Sequence, residues 1–197
     1  MIRAIFLDVD GTLISFSTHE IPASALRALA QAHERGVRLF IATGRAANDL
    51  GPLEGILYDG VVSLNGARCV ANDGRVVSLH PIPRADFERA LALSEEQGFA
   101  MGLELEEGVF VNRVTPDVER VAHMVAHPVP EQTDLRELFG RVECCQLCFY
   151  FDAETQRRVM AELPTLAASR WCPIFADVNV AGIDKATGME EFMRSYG

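Results

Sequence analysis

Two carboxylates follow a short apolar segment near the start of the sequence, and their type and spacing suit chemistry. The apolar segment Ala4–Leu7 leads directly to Asp8 and Asp10, which are followed by Gly11 and Thr12. Two carboxylates held close together repel each other unless a cation or a proton lies between them. The pair therefore indicates a site that binds a cation or moves a proton.

The single lysine of the chain lies far from these carboxylates in the sequence. All of the 18 basic residues except Lys185 are arginine. Asp184 is a good N-cap residue, so Lys185 falls in the first turn of a helix. A cation there faces the positive end of the helix dipole, which costs roughly 0.3–1 kcal/mol. This placement favours a cation directed at a bound anion, although a solvated surface lysine is the alternative.

The elements that must position these groups alternate between strands and helices. The pattern predicts three strands, over 4–7, 37–42 and 60–64, and the first of them is apolar enough to be buried on both faces. It also predicts two helices that connect the strands, over 22–35 and 46–53. Parallel strands joined by crossovers end at one edge of a sheet, where α/β proteins place their chemistry. That edge then carries further polar groups after the second and third strands: Thr43, Gly44, Arg45 and Asn65.

Each of these polar residues also has an ordinary structural interpretation. Thr43 could be a hydroxyl that simply ends a strand, and Asn65 could hold a turn. Arg45 could contact a substrate or form a surface ion pair. The residue types alone leave these alternatives open.

The sequence pattern changes after residue 79, where two prolines lie within 80–83. Beyond this point helices beside antiparallel strands predict an α+β module, with a hairpin tip at Glu104, Glu106 and Glu107 and a last strand over 171–175. We predict an α/β protein with a Rossmann-like parallel-sheet core, formed by residues 1–81 and 178–197. Residues 82–177 form an inserted α+β domain.

The composition excludes several classes of function. A net charge of −10 and a pI near 4.9 argue against a nucleic-acid surface, which needs a basic face. No apolar run reaches the length of a membrane span, and the N-terminus lacks a signal-peptide pattern. We therefore expect a cytoplasmic protein without a membrane partner.

The cysteines form no disulfide framework, because their number is odd at five. Cys144 and Cys148 could bind zinc, but no second cysteine pair lies nearby in the sequence. A period of two instead places alternate residues on one face of a strand: Cys145, Leu147, Phe149 and Phe151. We therefore predict that these cysteines belong to a core.

Four sequence features taken together resemble the ordered motifs of the haloacid dehalogenase superfamily: Asp8-Val9-Asp10-Gly11-Thr12, Thr43-Gly44-Arg45, Asn65-Gly66 and Lys185. The resemblance is greatest to the Cof-type sugar-phosphatase branch, in which a large α+β cap is inserted after the third core strand. It covers essentially the whole chain and implies a Mg²⁺-dependent phosphatase acting on a small phosphorylated metabolite, such as a sugar phosphate.

The resemblance also implies a role for each motif residue. Asp8 is expected to attack phosphorus and become an aspartyl phosphate, while Asp10 protonates the leaving group and then activates water. Thr43 and Lys185 are expected to hold the phosphate oxygens. Further phosphate- or substrate-binding positions are Gly11, Thr12, Gly44, Arg45 and Asn65. Mg²⁺ is expected on the Asp8 carboxylate and the Asp10 backbone carbonyl, and the cap is expected to exclude water and select the leaving group.

Three other functions are compatible with parts of this pattern. A phosphosugar mutase or other phosphotransferase shares the first half-reaction with a phosphatase. A signalling receiver domain also uses Asp, Thr and Lys around Mg²⁺, but its acceptor lies on a later strand and it lacks a large insert. An inactive phosphate-binding module would keep the site without turnover.

The family carries one further motif, Gly-Asp-x-x-Asn-Asp or similar, after the helix that holds the lysine. Its first Asp completes the metal site, and the sequence up to Gly197 contains no such motif. We therefore expect the sequence to be part of a longer protein. The strand over 4–7 would then have an open edge, which we expect to favour self-association.

Overall fold

The computed structural model describes residues 2–15, 17–18, 20–53 and 55–196. The outer ends of the predicted core segments, Met1 and Gly197, therefore lie outside the described residues. The chain divides into two compact units, the first formed by Met1–Leu79 and Ile183–Gly197 and the second by His80–Gly182. The second unit is an insertion into the first, which agrees with the predicted fold class.

The first unit is built on a five-stranded sheet. Its strands are β1 (Ala4–Leu7), β2 (Arg38–Ala42), β3 (Gly60–Ser63), β4 (Arg68–Ala71) and β5 (Val76–Leu79), and they follow this order in space. The first three strands are parallel, whereas β4 and β5 form an antiparallel hairpin. The hairpin turns at Gly74, whose φ of +85° suits a residue without a Cβ atom.

Helices cover both faces of this sheet. These helices are α1 (Ala23–Glu34) and α6 (Lys185–Tyr196). The second unit contains the other described α-helices, which are α2 (Arg84–Gln97), α3 (Pro116–Met124), α4 (Leu135–Phe139) and α5 (Ala153–Ala161). Ile41 of β2 packs in a cluster with Leu29 of α1. Its neighbour Phe40 packs on the opposite face against Phe192 of α6, with ring centroids 4.8 Å apart. Alternation along β2 thus gives the sheet a core on each side.

Two local predictions in the first unit are wrong. All four residues of β1 are half-buried rather than buried, because β1 lies at the end of the described sheet and has only β2 beside it. The segment 46–53 contains only a 3₁₀ turn at Gly51–Leu53 instead of a helix. Asn48 and Asp49 favour local turn hydrogen bonds, and Gly51 and Pro52 are poor helix residues.

The second unit contains a six-stranded sheet. Its strands are β6 (Ala100–Leu105), β7 (Gly108–Val111), β8 (Glu131–Gln132), β9 (Gln146–Tyr150), β10 (Leu166–Cys172) and β11 (Phe175–Val180). The spatial order is β10-β11-β9-β6-β7-β8, and all pairs except β7 with β8 are antiparallel. Helices beside an antiparallel sheet match the predicted α+β module.

The end of the second unit differs from the prediction. The expected strand over 171–175 instead comprises the end of β10, a turn at residues 173–174 and the first residue of β11, because Pro173 interrupts strand pairing there. Residues 178–180 belong to β11, so the predicted boundary at 178 is wrong and the division falls between Gly182 and Ile183. The return to the first unit comes only after the last strand of the inserted sheet is complete.

The cysteines lie in the core, as predicted. All five are buried, and none of them forms a disulfide bond with another described residue. Leu147, Phe149 and Phe151 share one hydrophobic cluster, as the period of two predicts, whereas Cys148 packs in another on the opposite face of β9. Cys145 is buried but precedes β9. Among the described helices, none has the length and apolar character needed to cross a membrane.

Candidate active site

The loop after β1 separates the two carboxylates from the core residue between them. Val9 is buried, whereas Asp8 is half-buried and Asp10 is exposed. The loop is closed by backbone hydrogen bonds from Ile14 to Val9 at 2.9 Å and from Gly11 to Ile14 at 2.9 Å. Gly11 has a φ of +75°, a conformation that a side chain would strain. The loop therefore holds both carboxylates at the surface of the first unit.

The three parallel strands end together, as the sequence predicts. Leu7 of β1 lies opposite Ile41 of β2, so Asp8 and Thr43 follow at neighbouring positions. The Thr43 amide donates to the Val62 carbonyl of β3 at 2.8 Å, which places the turn containing Asn65 at the same edge.

Lys185 points directly at Asp8. The Lys185 Nζ atom lies 2.6 Å from Asp8 Oδ1, although the two residues are 177 positions apart in the chain. The side chains are 35% and 42% exposed, so the pair remains accessible to a ligand. Asp184 caps α6 by accepting a hydrogen bond from the Thr187 amide at 2.8 Å. The alternative of a solvated surface lysine is therefore wrong.

Two glycines bring the start of α6 close to β3. Gly66 has a φ of +100°, and a Cβ atom at this position would overlap the backbone carbonyl of Asp184. At Gly188 a Cβ atom would lie 2.6 Å from Val62 Cγ1 and 2.9 Å from Cys69 Sγ. These close approaches fix the helix end that carries Lys185.

Arg45 binds Asp10 through two parallel hydrogen bonds. Its NH2 and Nε atoms lie 2.8 Å and 2.9 Å from the two carboxylate oxygens of Asp10. The same guanidinium donates from NH1 to Asp49 Oδ2 at 3.1 Å. Of the two interpretations of Arg45, the structure thus supports an ion pair, but one formed with a candidate catalytic residue.

The two hydrogen bonds from the Arg45 guanidinium to Asp10 change the pKa of Asp10. The hydrogen bonds from Arg45 lower the pKa of Asp10; burial opposes this shift, and the charges of Arg45 and Lys185 reinforce it. The pKa of Arg45 is raised in turn by its hydrogen bonds to Asp10. Asp10 is therefore ionised at neutral pH in this arrangement, although its expected role as an acid requires it to gain a proton before it acts.

The hydroxyl and amide candidates surround the backbone of Arg45. Thr43 is only 1% exposed, and its Oγ1 atom accepts a hydrogen bond from the Arg45 amide at 3.1 Å. The backbone N–H of Asn65 donates to the Thr43 carbonyl at 3.1 Å, and the backbone of Asn65 has a φ of +56°. A Cβ atom at Gly44 would lie 3.0 Å from Asn65 Oδ1, so a glycine at position 44 leaves room for this side chain.

The structure brings most of the predicted site residues into two groups, the pair of Asp8 with Lys185 and the residues around Arg45. Gly11 and Thr12 are the exceptions, because they lie in an exposed turn whose described hydrogen bonds stay within the loop after β1. Sequence reasoning missed Asp49 and the packing role of Gly188. The spacing of four residues between Arg45 and Asp49 was the available signal for an ion pair.

A family model for haloacid dehalogenase-like hydrolases matches residues 5–197. The chain belongs to this family. This membership confirms the superfamily and the hydrolytic enzyme class that the sequence motifs predicted.

Several haloacid dehalogenase-like proteins resemble the chain closely. BT1666 from Bacteroides thetaiotaomicron, a phosphatase of this superfamily, is 54% identical with a TM-score of 0.95; the match covers 100% of this chain and 73% of that protein. BT4131, a subclass IIB sugar phosphatase, is 32% identical with a TM-score of 0.87 and coverages of 99% and 76%. YkrA of Bacillus subtilis (strain 168), whose name assigns it provisionally to the phosphatases, is 26% identical over 96% of this chain and 72% of its own length. The predicted Cof-type branch is thereby confirmed.

The donor groups of this hydrolase suit Mg²⁺. Asp8 offers carboxylate oxygens and Asp10 a backbone carbonyl oxygen, which are the hard donors that Mg²⁺ prefers. Two protein donors are sufficient for a first association, because Mg²⁺ usually keeps several water ligands. The residues present therefore fit the ion.

A second polar cluster lies in the inserted unit. Gln146, which is fully buried, donates to Glu104 Oε2 at 2.6 Å and to Asp177 Oδ1 at 3.2 Å. Cys148 lies beside them. Its Sγ atom and one carboxylate oxygen each of Glu104 and Asp177 are within 4.8 Å of one another. The predicted hairpin tip is therefore wrong for Glu104, which lies within β6 and is half-buried.

Proposed function

We propose that the protein is a Mg²⁺-dependent phosphatase that hydrolyses a small phosphorylated metabolite, such as a sugar phosphate, through an aspartyl-phosphate intermediate. The observation that carries this proposal is the pairing of Lys185 with Asp8. A carboxylate nucleophile must approach an anionic phosphate, and an adjacent ammonium offsets that repulsion. The similarity to sugar and other phosphatases supports the same substrate class.

In the first step, a carboxylate oxygen of Asp8 attacks phosphorus. The new bond between Asp8 and phosphorus forms as the bond to the leaving oxygen breaks. The electron pair of the broken bond stays on the leaving oxygen, which takes a proton from Asp10 after this carboxylate has turned away from Arg45 and gained a proton from the solvent. Lys185 stabilises the negative charge that gathers on the phosphoryl oxygens, and the Thr43 hydroxyl is expected to donate to one of them.

In the second step, a water molecule attacks the phosphorus of the intermediate. It gives one proton to Asp10 as the bond between phosphorus and Asp8 breaks, which restores the Asp8 carboxylate and releases inorganic phosphate. Asp10 thus alternates between acid and base, so its carboxyl group must be able to break its two hydrogen bonds with Arg45.

Mg²⁺ would be held by the Asp8 carboxylate and the Asp10 backbone carbonyl. When bound, it offsets negative charge on the transferred phosphoryl group. Both of these metal-binding groups belong to the loop after β1, and backbone hydrogen bonds within that loop hold it in place.

The decisive experiment replaces the nucleophile. We expect D8N to lose essentially all phosphate release from a panel of sugar phosphates and from 4-nitrophenyl phosphate, because an amide cannot form the intermediate. E190Q removes a carboxylate from an exposed ion pair with Arg194 on α6 and should keep wild-type activity. Full activity of D8N would refute the proposal. Chelation with EDTA should abolish release, and added Mg²⁺ should restore it.

A further inference from the structure

We propose that Asp49 is a positioning residue that acts through Arg45 on the carboxylate of Asp10. This inference rests on the proposed function, in which Asp10 exchanges a proton with the leaving group and then with water. It assigns a role to a residue outside the motifs and changes the expected role of Arg45 from substrate binding to control of Asp10.

The guanidinium of Arg45 is held on two sides. An arginine side chain presents five N–H donors in one fixed plane. Two of the Arg45 nitrogens bind the two oxygens of Asp10, while NH1 donates to Asp49 Oδ2 at 3.1 Å and to the Asp49 carbonyl at 3.4 Å. Because the plane is rigid, the contacts to Asp49 determine the direction in which Asp10 is held.

The backbone anchors this arrangement. The Arg45 amide donates to Thr43 Oγ1, and the Arg45 carbonyl accepts from the Leu64 amide, both at 3.1 Å. The Asp49 amide donates to the Ala46 carbonyl at 3.1 Å, which turns Asp49 back toward Arg45. The Arg45 and Asp49 side chains are 27% and 33% exposed, so this pair is less screened by water than a fully exposed surface pair.

Two carboxylates therefore share one guanidinium, each bound to different nitrogen atoms. While Arg45 binds both oxygens of Asp10, that carboxylate faces Arg45 rather than a leaving group. Asp49 takes part of the guanidinium's hydrogen-bonding capacity and charge, which eases the release of Asp10. It also keeps Arg45 in place after Asp10 has turned away. Without the Asp49 charge, Asp10 becomes the one carboxylate bound to Arg45 among the described residues and is released less easily.

A comparison of two leaving groups distinguishes a positioning role of Asp49 from a merely structural one. An alkoxide needs a proton as it departs, whereas a nitrophenolate leaves without one. We expect D49N to lower kcat about tenfold for an alkyl phosphate such as glycerol phosphate and less than about twofold for 4-nitrophenyl phosphate. KM should be nearly unchanged for both substrates. D10N should show the same selectivity more strongly.

The matched control is E190Q, which removes the same charge from another ion pair with i,i+4 spacing. It should leave kcat unchanged for both substrates. Equal loss of kcat for both substrates in D49N would overturn the inference, as would no loss at all. A rise in KM for both would show instead that Arg45 binds the phosphate directly.

A second measurement does not depend on activity. In a double-mutant cycle, the thermal unfolding midpoints of D49N, D10N and the double variant should be non-additive, because both carboxylates bind Arg45. The same cycle in an R45M background should be additive. Inactivity of the wild type on every phosphate ester would refute the proposed function, and the cycle would still decide the coupling. Additive midpoints with Arg45 present would overturn the inference.

Discussion

The backbone of Gly66 lies directly against the carbonyl group of Asp184, with no room for a Cβ atom between them. This contact joins the turn after β3 to the residue that immediately precedes and caps α6, the helix that carries Lys185. The position of the ammonium therefore depends on a residue that has no side chain and takes no part in the chemistry.

Replacement of Gly66 by alanine should displace the start of α6. The new methyl group would overlap the Asp184 carbonyl, and the φ of +100° would strain any side chain. Overpacking of this kind costs about 1–3 kcal/mol in unfolding free energy. We expect G66A to lower both the urea midpoint and the rate of phosphate release. G51A is the matched control, because no atom lies within 4 Å of a Cβ at that position. Equal activity of both variants would contradict this account.

Lys185 should not be replaceable by arginine. The ammonium is a compact charge that reaches Asp8 Oδ1 at 2.6 Å, whereas a guanidinium is larger and planar. We expect K185M to reduce kcat by about 10²–10³-fold, the usual effect of removing one donor from a developing charge. K185R should recover little of this loss. Steady-state kinetics on one substrate measures both effects, and wild-type activity of K185R would argue against a direct role.

The cap of α6 should make stability depend on pH. The hydrogen bond from the Thr187 amide lowers the pKa of Asp184, so this carboxylate stabilises the fold above the unfolded value of about 3.9. The contribution is lost as the pH falls through the lower folded-state value. We expect D184A to reduce the unfolding free energy by about 1 kcal/mol at pH 7. The difference should shrink as the pH approaches 3, measured by urea unfolding. A difference independent of pH would contradict this origin.

The buried cysteines should be unreactive in the folded protein. Burial raises the pKa of Cys69 to about 11 and that of Cys144 to about 12, so almost no thiolate is present at neutral pH. We expect no modification by iodoacetamide at pH 8 in native buffer and modification of all five cysteines in guanidinium chloride. Intact mass spectrometry counts the adducts. Rapid labelling of the native protein would show that these side chains are accessible.

Sequence reasoning located the site through the direction of the strands. Parallel β1, β2 and β3 have to end at one edge, so Asp8, Thr43 and Asn65 could be placed together without coordinates. Lys185 could be added because its position in a helix is unfavourable unless an anion lies nearby. Both arguments depend on local patterns and general rules of topology, which a sequence shows directly.

Other features depend on tertiary packing and could not be predicted in this way. The position of Asp49 is one of them, because the pattern over 46–53 predicts a helix, whereas turn-forming residues hold Asp49 beside Arg45. The boundary at 178 was wrong because residues 178–180 are apolar enough for either unit, and only pairing with β10 assigns them to β11. The ion pair that keeps Asp10 ionised depends on a side-chain direction that spacing does not determine.

Three expectations from the sequence stay predictions. The Mg²⁺ requirement is tested by the chelation experiment described above, and the cytoplasmic location by fractionation of cells. Self-association through the edge of β1 would appear in sedimentation velocity as a sedimentation coefficient that rises with protein concentration.

The separation of 177 residues between Asp8 and Lys185 has a consequence for synthesis on the ribosome. Asp8 emerges early, and the whole inserted unit must be translated before Lys185 leaves the exit tunnel. A nascent chain therefore carries the two aspartates without the charge that balances Asp8. Asp8 can therefore pair with Lys185 only after the start of α6 has been synthesised.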